Sequence, residues 1–463
     1  MNAIIFSVAA GIVMMFTGII TQQKTAIRNV ALTALLVVLL ANIFDTYGIF
    51  SIHIPTHDML SFQKFGLYFN TLAFAATLLF ILISGADVTL IGHGKHAADF
   101  FALIFFSLAG ITILTSYNSL LMLFLGIEIM SIPLYILTGA DKRNLKSNEA
   151  SLKYFLMGSF STGILLMGIA LMYGARGGFE INVLKPSAVS NEYGILDPLG
   201  LVMVFIAIAF KVSAAPFHFW TPDVYDGAPG VFTSFMATII KAAGFIAFIR
   251  LFDNTAIEMG LSWKIILPVV IIATLLVGNI SAVFQQSVKR IMAYSSIAQA
   301  GFMLFAVYAE NDVAKEGILI YTVAYSVATI GIFAILEKMK DISLEGFNGL
   351  AQKNPLLAAT NTIFLLSLTG IPLTAGFFAK YYMLISAIKY GGSSVTWLVI
   401  AAVIFAAVSA YYYFRIIQAM YFKKGNPELH PVNKGFCLML VILAATIIII
   451  GLFPTIILNW FYF

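Results

Sequence analysis

In the stretch AFKVSAAPFHFWTPD, residues 209–223, Lys211 lies in an apolar run and Pro216 follows it five residues later. A buried ammonium group loses its hydration, and a proline inside a helix removes a backbone donor and clashes with the preceding turn. Unpaired backbone is tolerated at membrane depth only where it meets protein or water. The stretch therefore predicts an interrupted transmembrane helix beside a polar interior.

The whole chain has the composition of an integral membrane protein. Of its 463 residues, 61% are hydrophobic and 10% are charged, and the mean hydropathy is +0.97. Soluble domains carry about 25% charged residues. Apolar stretches of roughly 20 residues recur along the sequence, and each is long enough to cross a hydrocarbon core of about 30 Å as a helix. A membrane barrel would instead show short alternating segments.

We predict an all-α polytopic membrane protein with fourteen transmembrane helices. The first apolar stretch has no basic segment before it and no small-residue cleavage site close behind it, so we expect a retained helix rather than a signal peptide. The predicted spans are residues 3–21, 29–47, 65–84, 97–115, 117–139, 148–175, 196–220, 227–252, 264–285, 291–309, 315–337, 356–388, 394–421 and 436–460.

The basic residues of the connections predict the orientation. With both termini outside, the odd-numbered connections face the cytoplasm and hold fourteen Lys and Arg, whereas the even-numbered connections hold seven. Cytoplasmic connections carry the excess of Lys and Arg, so this orientation is favoured.

The sequence excludes several kinds of chemistry. A single cysteine, Cys437, cannot ligate an iron–sulfur cluster or form a disulfide within the chain. The net charge of +5 is explained by basic inner connections, so it gives no argument for nucleic acid. No glycine-rich nucleotide motif follows a strand pattern. Transport by this chain would therefore draw its energy from an ion gradient or from a partner subunit.

Charged residues inside the spans are the candidate functional groups. Glu128 is the acidic residue that lies well inside a predicted span, and Lys211, Lys241 and Lys380 lie in other spans. An ionised group at the bilayer centre costs at least about 2.5 to 3.5 kcal/mol, so such residues normally face a bundle interior or a hydrated path. Burial disfavours the charged form of an amine and a nearby carboxylate favours it, so an amine between these influences can exchange a proton.

Structural explanations compete at several of these positions. Lys153 lies near the start of its helix and can extend its amine to the inner headgroups. Arg415 is close to Lys423 and is interpreted as an interface anchor. Glu128 could satisfy one lysine and do nothing more. Lys211 and Lys241 are too central for their amines to reach either face easily.

The two interrupted helices predict an inverted repeat. Pro372, flanked by Gly370 and Gly376, is expected to open a helix and free carbonyls near Lys380, as Pro216 does near Lys211. Proline kinks are common in membrane helices, so each alone is weak evidence. The breaks fall in the seventh and twelfth spans, so units of spans 4–8 (97–253) and 9–13 (264–421) would have opposite orientations. Residues 1–96 and 436–463 would flank them.

Five motifs carry a resemblance to a known family. They are LFLGIEIMSIPLYIL (123–137), NEASLKYFLMGSFSTGILLMGIALMYG (148–174), AFKVSAAPFHFWTPDVYDGAP (209–229), VKRIMAYSSIAQAGF (288–302) and GIPLTAGFFAKYY (370–382). Together the motifs resemble the proton-conducting, antiporter-like membrane subunits of respiratory complex I, the proton-translocating NADH:quinone oxidoreductase. TPDVYDGAP and EASLKYF are most similar to the subunit N branch of that family.

The resemblance implies a role for each residue. Glu128 would pair with Lys211, Lys241 would relay protons between two half-channels, and Lys380 would stand on the exit side. Lys153 matches a lysine of the sixth helix in the subunit N branch. His218 would line a proton uptake path or be a satisfied interfacial histidine. Gln299 stands where the family often has a histidine. A glutamine amide cannot replace that histidine as a proton carrier.

The resemblance also implies the setting. This chain would bind no cofactor, and NADH, FMN, iron–sulfur clusters and quinone would belong to partner subunits in a bacterial inner membrane, with both termini periplasmic. The expected partners are lipids, the neighbouring antiporter-like subunit M and small subunits such as K and J, with no nucleic acid. A subunit of a multisubunit Na⁺/H⁺ antiporter or membrane-bound hydrogenase, and a structural scaffold without transport, are the competing functions.

Overall fold

The structure, a computed structural model, describes residues 1–91, 96–181, 195–252 and 261–460. Across these ranges the chain is almost entirely helical and contains no strand, as predicted. Some residues used in the predictions lie outside the described residues. They are Lys95 and Lys185, which were counted for the orientation, residue 253 at the end of the first predicted unit, and residues 461–463 of the C-terminal segment.

The first six helices are continuous. They are α1 (Asn2–Ile20), α2 (Lys24–Thr46), α3 (Lys64–Val88), α4 (Ala97–Ser116), α5 (Leu120–Thr138) and α6 (Leu145–Arg176). The predicted seventh span is broken into α7 (Leu196–Lys211) and α8 (Trp220–Gly227). The eighth consists of α9 (Gly230–Phe235), one π-helical turn (Met236–Ile240) and α10 (Lys241–Phe252).

The second half of the chain is also helical. It contains α11 (Leu261–Val283), α12 (Val288–Ala309), α13 (Asp312–Leu336), the short α14 (Leu350–Lys353), α15 (Pro355–Thr369), α16 (Ala375–Gly391), α17 (Thr396–Phe422), α18 (Lys434–Leu452) and the short α19 (Thr455–Leu458). Single 3₁₀ turns stand at Glu345–Phe347 and Gly392–Val395. The break between α15 and α16 contains Pro372, so both predicted interruptions are confirmed.

Within the described ranges, twelve helical stretches are long and apolar enough to cross a membrane. The difference from fourteen has two causes. The first part of the seventh predicted span, α7, is only 16 residues long because the helix ends at Lys211. The helices α16 and α17 run together from Ala375 to Phe422 through a 3₁₀ turn, so two predicted spans count as one stretch. The exact number of membrane crossings stays a prediction.

The helices differ sharply in how much of their surface is buried. The stretch from Gly230 to Phe252 is fully enclosed, and α12 and α13 are nearly so, whereas α1, α2, α6 and α18 leave most of their apolar surface exposed. Lipid solvates exposed apolar side chains as well as other helices do, so enclosure reflects close packing rather than hydrophobicity. The interior helices α10 and α12 are therefore where buried polar groups can be held.

Matching contacts join the first two helices of each predicted unit. A Cβ atom on Gly110 of α4 would lie 2.4 Å from the backbone nitrogen of Met130, and one on Gly278 of α11 would lie 2.4 Å from that of Ala298. The hydroxyls of Ser119 and Ser287 cap the N-termini of α5 and α12. Gly278, Ala298 and Ser287 each lie 168 positions after Gly110, Met130 and Ser119.

An arginine in each unit binds the carbonyls that follow these glycines. Arg250 donates to the carbonyl oxygens of Tyr117 at 2.5 Å and Thr115 at 3.3 Å. Arg415 donates to those of Val283 at 2.5 Å and Gln285 at 3.4 Å, positions again 168 residues further on. Arg415 is thus an anchor on the α11–α12 connection. The inverted relation of the two units as a whole stays a prediction.

The close glycine contacts predict a packing defect on substitution. We expect Gly110→Ala and Gly278→Ala each to destabilise the protein by roughly 1–3 kcal/mol, because the added methyl group pushes against backbone that has no room to move. The abundance of the chain in membranes and its heat-induced aggregation after detergent extraction measure this. Gly163→Ala is the control, because nothing lies within 4 Å of that Cβ position. Equal stability of all three variants would contradict the packing argument.

Candidate functional site

Lys211 is the last residue of α7 and is buried against α5. Its amine donates to the hydroxyl oxygens of Ser131 at 3.0 Å and Tyr135 at 3.1 Å. These residues lie one turn apart on the same face of α5. The last turn of a helix also favours a cation, because its unpaired carbonyls carry partial negative charge. The position of Lys211 at a helix end therefore helps to hold its positive charge.

Glu128 lies on the same face of α5, one turn before Ser131, and is partly buried. Its Oε1 atom accepts a hydrogen bond of 2.7 Å from the hydroxyl of Thr162 on α6. No ion pair joins this carboxylate to Lys211 in the structure, so the direct pair that the resemblance implied is not formed here. Glu128 and Lys211 are each hydrogen-bonded to neutral hydroxyl groups instead.

Lys241 follows the π-helical turn directly and is almost completely buried. Its amine donates to the carbonyl oxygen of Ser296 at 3.0 Å and to the Ser296 hydroxyl oxygen at 2.9 Å. It also lies 5.5 Å from the centre of the Tyr225 ring, within the range of a cation–π contact. An isolated π-helical turn is rare and frequently marks a functional position in a helix.

Lys380 lies in the second turn of α16 and reaches back to the end of α15. Its amine donates to the carbonyl oxygen of Thr369 at 2.8 Å and lies 4.7 Å from the centre of the Phe302 ring. Gly370 caps α15 with a φ of +89°, and a Cβ atom there would approach the Lys380 stem to 3.0 Å. Glycine is needed both for this backbone conformation and for the path of the lysine side chain.

The two breaks differ in whether they supply a backbone carbonyl to the nearby lysine. Thr369 at the end of α15 does supply a carbonyl to Lys380. At the end of α7, backbone turns occupy the carbonyls of Ile208 and Ala209, and the Trp220 indole donates to that of Phe210. Pro216 therefore ends the helix without supplying acceptors to Lys211, and α5 supplies them instead.

Gln299 is buried one turn after Ser296 on α12. Its amide nitrogen donates to the Leu368 carbonyl at 3.0 Å and to the Tyr413 hydroxyl at 3.2 Å, and its amide oxygen accepts a hydrogen bond from the Tyr321 hydroxyl. A cavity of about 10 Å³ lies between Gln299 and Lys380. That is about the space of one water molecule between polar groups.

The three buried lysines share one electrostatic property. None of the ion pairs recorded for the described parts of the chain involves Lys211, Lys241 or Lys380. Each amine instead meets hydroxyl or carbonyl oxygens and an aromatic face. Such acceptors stabilise the ammonium form by dipoles rather than by a countercharge. The arrangement can accept and release a proton without breaking a salt bridge.

Lys153 is placed differently from these three. Its amine forms ion pairs with Glu149 at 2.7 Å and with Asp223 at 2.9 Å, and 42% of its side chain is exposed. Arg290 of α12 binds the other oxygen of Asp223 at 3.2 Å. These charges line an open pocket of about 240 Å³. Lys153 thus lies at the mouth of a polar depression and not in the buried series.

His218 lies in the break between α7 and α8 and is buried. Its Nδ1 atom has no hydrogen-bond partner in the structure, and its ring packs on Phe219. The ring has a hydrogen bond with the Pro216 backbone, so the explanation as a satisfied interfacial histidine stays open. Whether His218 lines a proton uptake path stays a prediction.

Sequence reasoning missed the hydroxyl partners of the lysines. Ser131 and Tyr135 follow Glu128 at three and seven residues, which is one face of a helix, so this signal was present in the sequence. Ser296 and Gln299 have the same spacing on α12. Tyr321 and Tyr413 lie on distant helices, and no local pattern connects them to Gln299.

Comparison with known proteins identifies the family. Residues 117–409 match the family described as NADH:quinone oxidoreductase/Mrp antiporter, TM. The chain is 39% identical over 465 residues to NADH-quinone oxidoreductase subunit N of Cytophaga hutchinsonii, with 99% of each chain covered. It is similar to a chain of respiratory complex I from Thermus thermophilus with bound aureothin, with a TM-score of 0.83, 29% identity and coverage of 99% and 98%. A chain of the membrane-bound sulfane sulfur reductase, an archaeal respiratory membrane complex, gives a TM-score of 0.86 with 25% identity and coverage of 99% and 96%.

These similarities cover nearly the whole chain. The resemblance predicted from the five motifs is confirmed. The chain belongs to the antiporter-like membrane subunits of NADH:quinone oxidoreductase, in the subunit N family.

Proposed function

We propose that the chain conducts protons across a bacterial inner membrane as a non-redox subunit of an NADH:quinone oxidoreductase. The observation that carries the proposal is the set of three buried lysines without ion pairs inside a fold shared with respiratory complex I. An amine that is desolvated and free of a fixed countercharge can change its protonation state at moderate cost. Redox chemistry in other subunits drives the transfer.

The proposed path runs from the cytoplasm past Lys211, Lys241 and Lys380 to the periplasm. The face of α12 supports the second half of this path, because Ser296 contacts Lys241 and Gln299 borders the cavity beside Lys380. Gln299 holds water through its amide while the lysines carry the proton. Glu128 biases the charge on Lys211 electrostatically, without direct contact.

Proton uptake is proposed at the charged pocket around Lys153 and Asp223. This pocket is open and polar, and it is lined by residues of α6, α8 and α12. His218 lies between the pocket's helix α8 and Lys211 along the chain. Both termini would be periplasmic, since the predicted cytoplasmic connections carry the excess of basic residues.

The partners and cofactors follow from the same proposal. Subunit M is the proposed antiporter-like neighbour, and K and J are the proposed small neighbours, with lipid around the exposed apolar helices. NADH, FMN, iron–sulfur clusters and quinone would be held by partner subunits. The similarity to subunit N of Cytophaga hutchinsonii over 99% of both chains favours this assembly over a sodium/proton antiporter or a membrane-bound hydrogenase.

We expect Lys241→Ala to lower proton flux through this chain about a hundredfold, the usual effect of removing a group that transfers a proton. NADH-driven pumping by the assembled complex in inverted membrane vesicles, expressed as protons per electron, measures this. Lys340→Ala is the control, because Lys340 forms an exposed surface pair with Glu428. Native stoichiometry and full activity in Lys241→Ala would contradict the proposal.

The alternative of a structural scaffold predicts that substitution of Lys211 or Lys380 leaves pumping unchanged. If the chain were purely structural, Lys211→Ala and Lys380→Ala complexes would assemble and pump like the native complex. We expect both to assemble and to pump less, because each variant removes an amine that is the proposed proton carrier. Native gels establish assembly, and vesicle acidification establishes pumping.

Tyr135→Phe tests the role of α5 hydroxyls at Lys211. Loss of one hydrogen bond to a charged amine is expected to slow pumping about tenfold, with assembly unchanged. Tyr154→Phe is a matched control, because it removes the hydroxyl of a neighbouring tyrosine whose ring packs edge-on against Tyr135. If both variants pump alike, the Tyr135 hydroxyl has no part in holding Lys211.

A further inference from the structure

The central lysine, Lys241, contacts Ser296 at the position where the first unit has the acidic residue Glu128. The contacts of α11 with α12 repeat those of α4 with α5 at a constant offset of 168 residues, through the glycines, the capping serines and the carbonyls bound by Arg250 and Arg415. The same offset pairs Ser296 with Glu128.

A second contact supports this pairing. The offset also pairs Gln299 with Ser131. Ser131 binds Lys211, the last residue of α7, and Gln299 binds the carbonyl of Leu368, next to the last residue of α15. Ser131 and Gln299 therefore each contact the C-terminal end of the first part of a broken helix, α7 and α15 respectively.

The Ser296 hydroxyl is oriented as an acceptor toward Lys241. It donates its one proton to the Ala293 carbonyl at 2.7 Å, which leaves its lone pairs for the amine at 2.9 Å. The Ser296 carbonyl and the Tyr225 ring complete the surroundings of the amine. All three contacts are with neutral groups.

We propose that Ser296 is a positioning residue for proton transfer. It holds the Lys241 amine without a countercharge, at the position of the second unit where the first unit has Glu128. The inference rests on the proposed function. A carboxylate at this position would form a buried ion pair that keeps the amine protonated, and the proton could leave only by breaking that pair.

The test compares three substitutions in the assembled complex. Ser296→Ala removes the hydroxyl acceptor, Ser296→Thr keeps it, and Ser296→Asp replaces it with a carboxylate. Ser326→Ala is the matched control, because the Ser326 hydroxyl is also buried and has no hydrogen-bond partner in the structure. Protons per electron in inverted vesicles and assembly on native gels are measured for each variant, with Lys241→Ala in parallel.

We expect Ser296→Ala to lower the pumping rate about tenfold, the effect of losing one hydrogen bond to a charged group. Ser296→Thr should restore pumping to at least half of the native rate. Ser296→Asp should assemble but lose pumping as completely as Lys241→Ala does. Ser326→Ala should pump at the native rate.

Several outcomes would overturn the inference. Native pumping in Ser296→Asp shows that a countercharge does not trap the proton. Pumping in Ser296→Ala equal to that in Ser326→Ala shows that the hydroxyl does not position the amine. If Ser296→Asp does not assemble, the inference is tested by the pumping rates of Ser296→Ala and Ser296→Thr alone, and equal rates in these two variants contradict it. These results contradict the positioning role of Ser296 only if Lys241→Ala itself reduces pumping. If Lys241→Ala pumps at the native rate, the proposed function is contradicted instead.

Discussion

The interior of this protein depends on buried amines that must be stabilised without carboxylate partners. Leaving such a group without hydrogen bonds would cost several kcal/mol, so each lysine needs oxygen acceptors within reach. The structure supplies them in two ways. Helix α15 ends beside Lys380 and offers a backbone carbonyl, whereas α5 and α12 present hydroxyl groups to Lys211 and Lys241.

The architecture could be predicted from the sequence because its causes are local. Apolar stretches of spanning length give the helices, and the prolines of residues 209–223 and of the Gly370–Gly376 segment give the two breaks. Hydropathy cannot count the spans securely where a helix is shortened by a break or joined to the next one through a 3₁₀ turn. That is why α7 falls short of a full span and α16 continues into α17.

The candidate site residues could be predicted in part. Lys211, Lys241 and Lys380 stand out because a charge in an apolar run is rare, and all three are buried. Their partners are common residues whose role depends on which helices meet. The family resemblance implied a Glu128–Lys211 pair, but hydroxyls of α5 and α6 form the hydrogen bonds to these two groups instead. Helix packing, which no local pattern specifies, decides such choices.

Asp223 divides its two carboxylate oxygens between Lys153 of α6 and Arg290 of α12. The cohesion of the two halves at this surface is therefore ionic, unlike the apolar packing deeper in the bundle. Charges exposed to solution are screened over about 8 Å at physiological ionic strength. Salt in the adjoining compartment therefore weakens this ionic contact between the two halves, whereas the apolar contacts at mid-depth do not depend on screening.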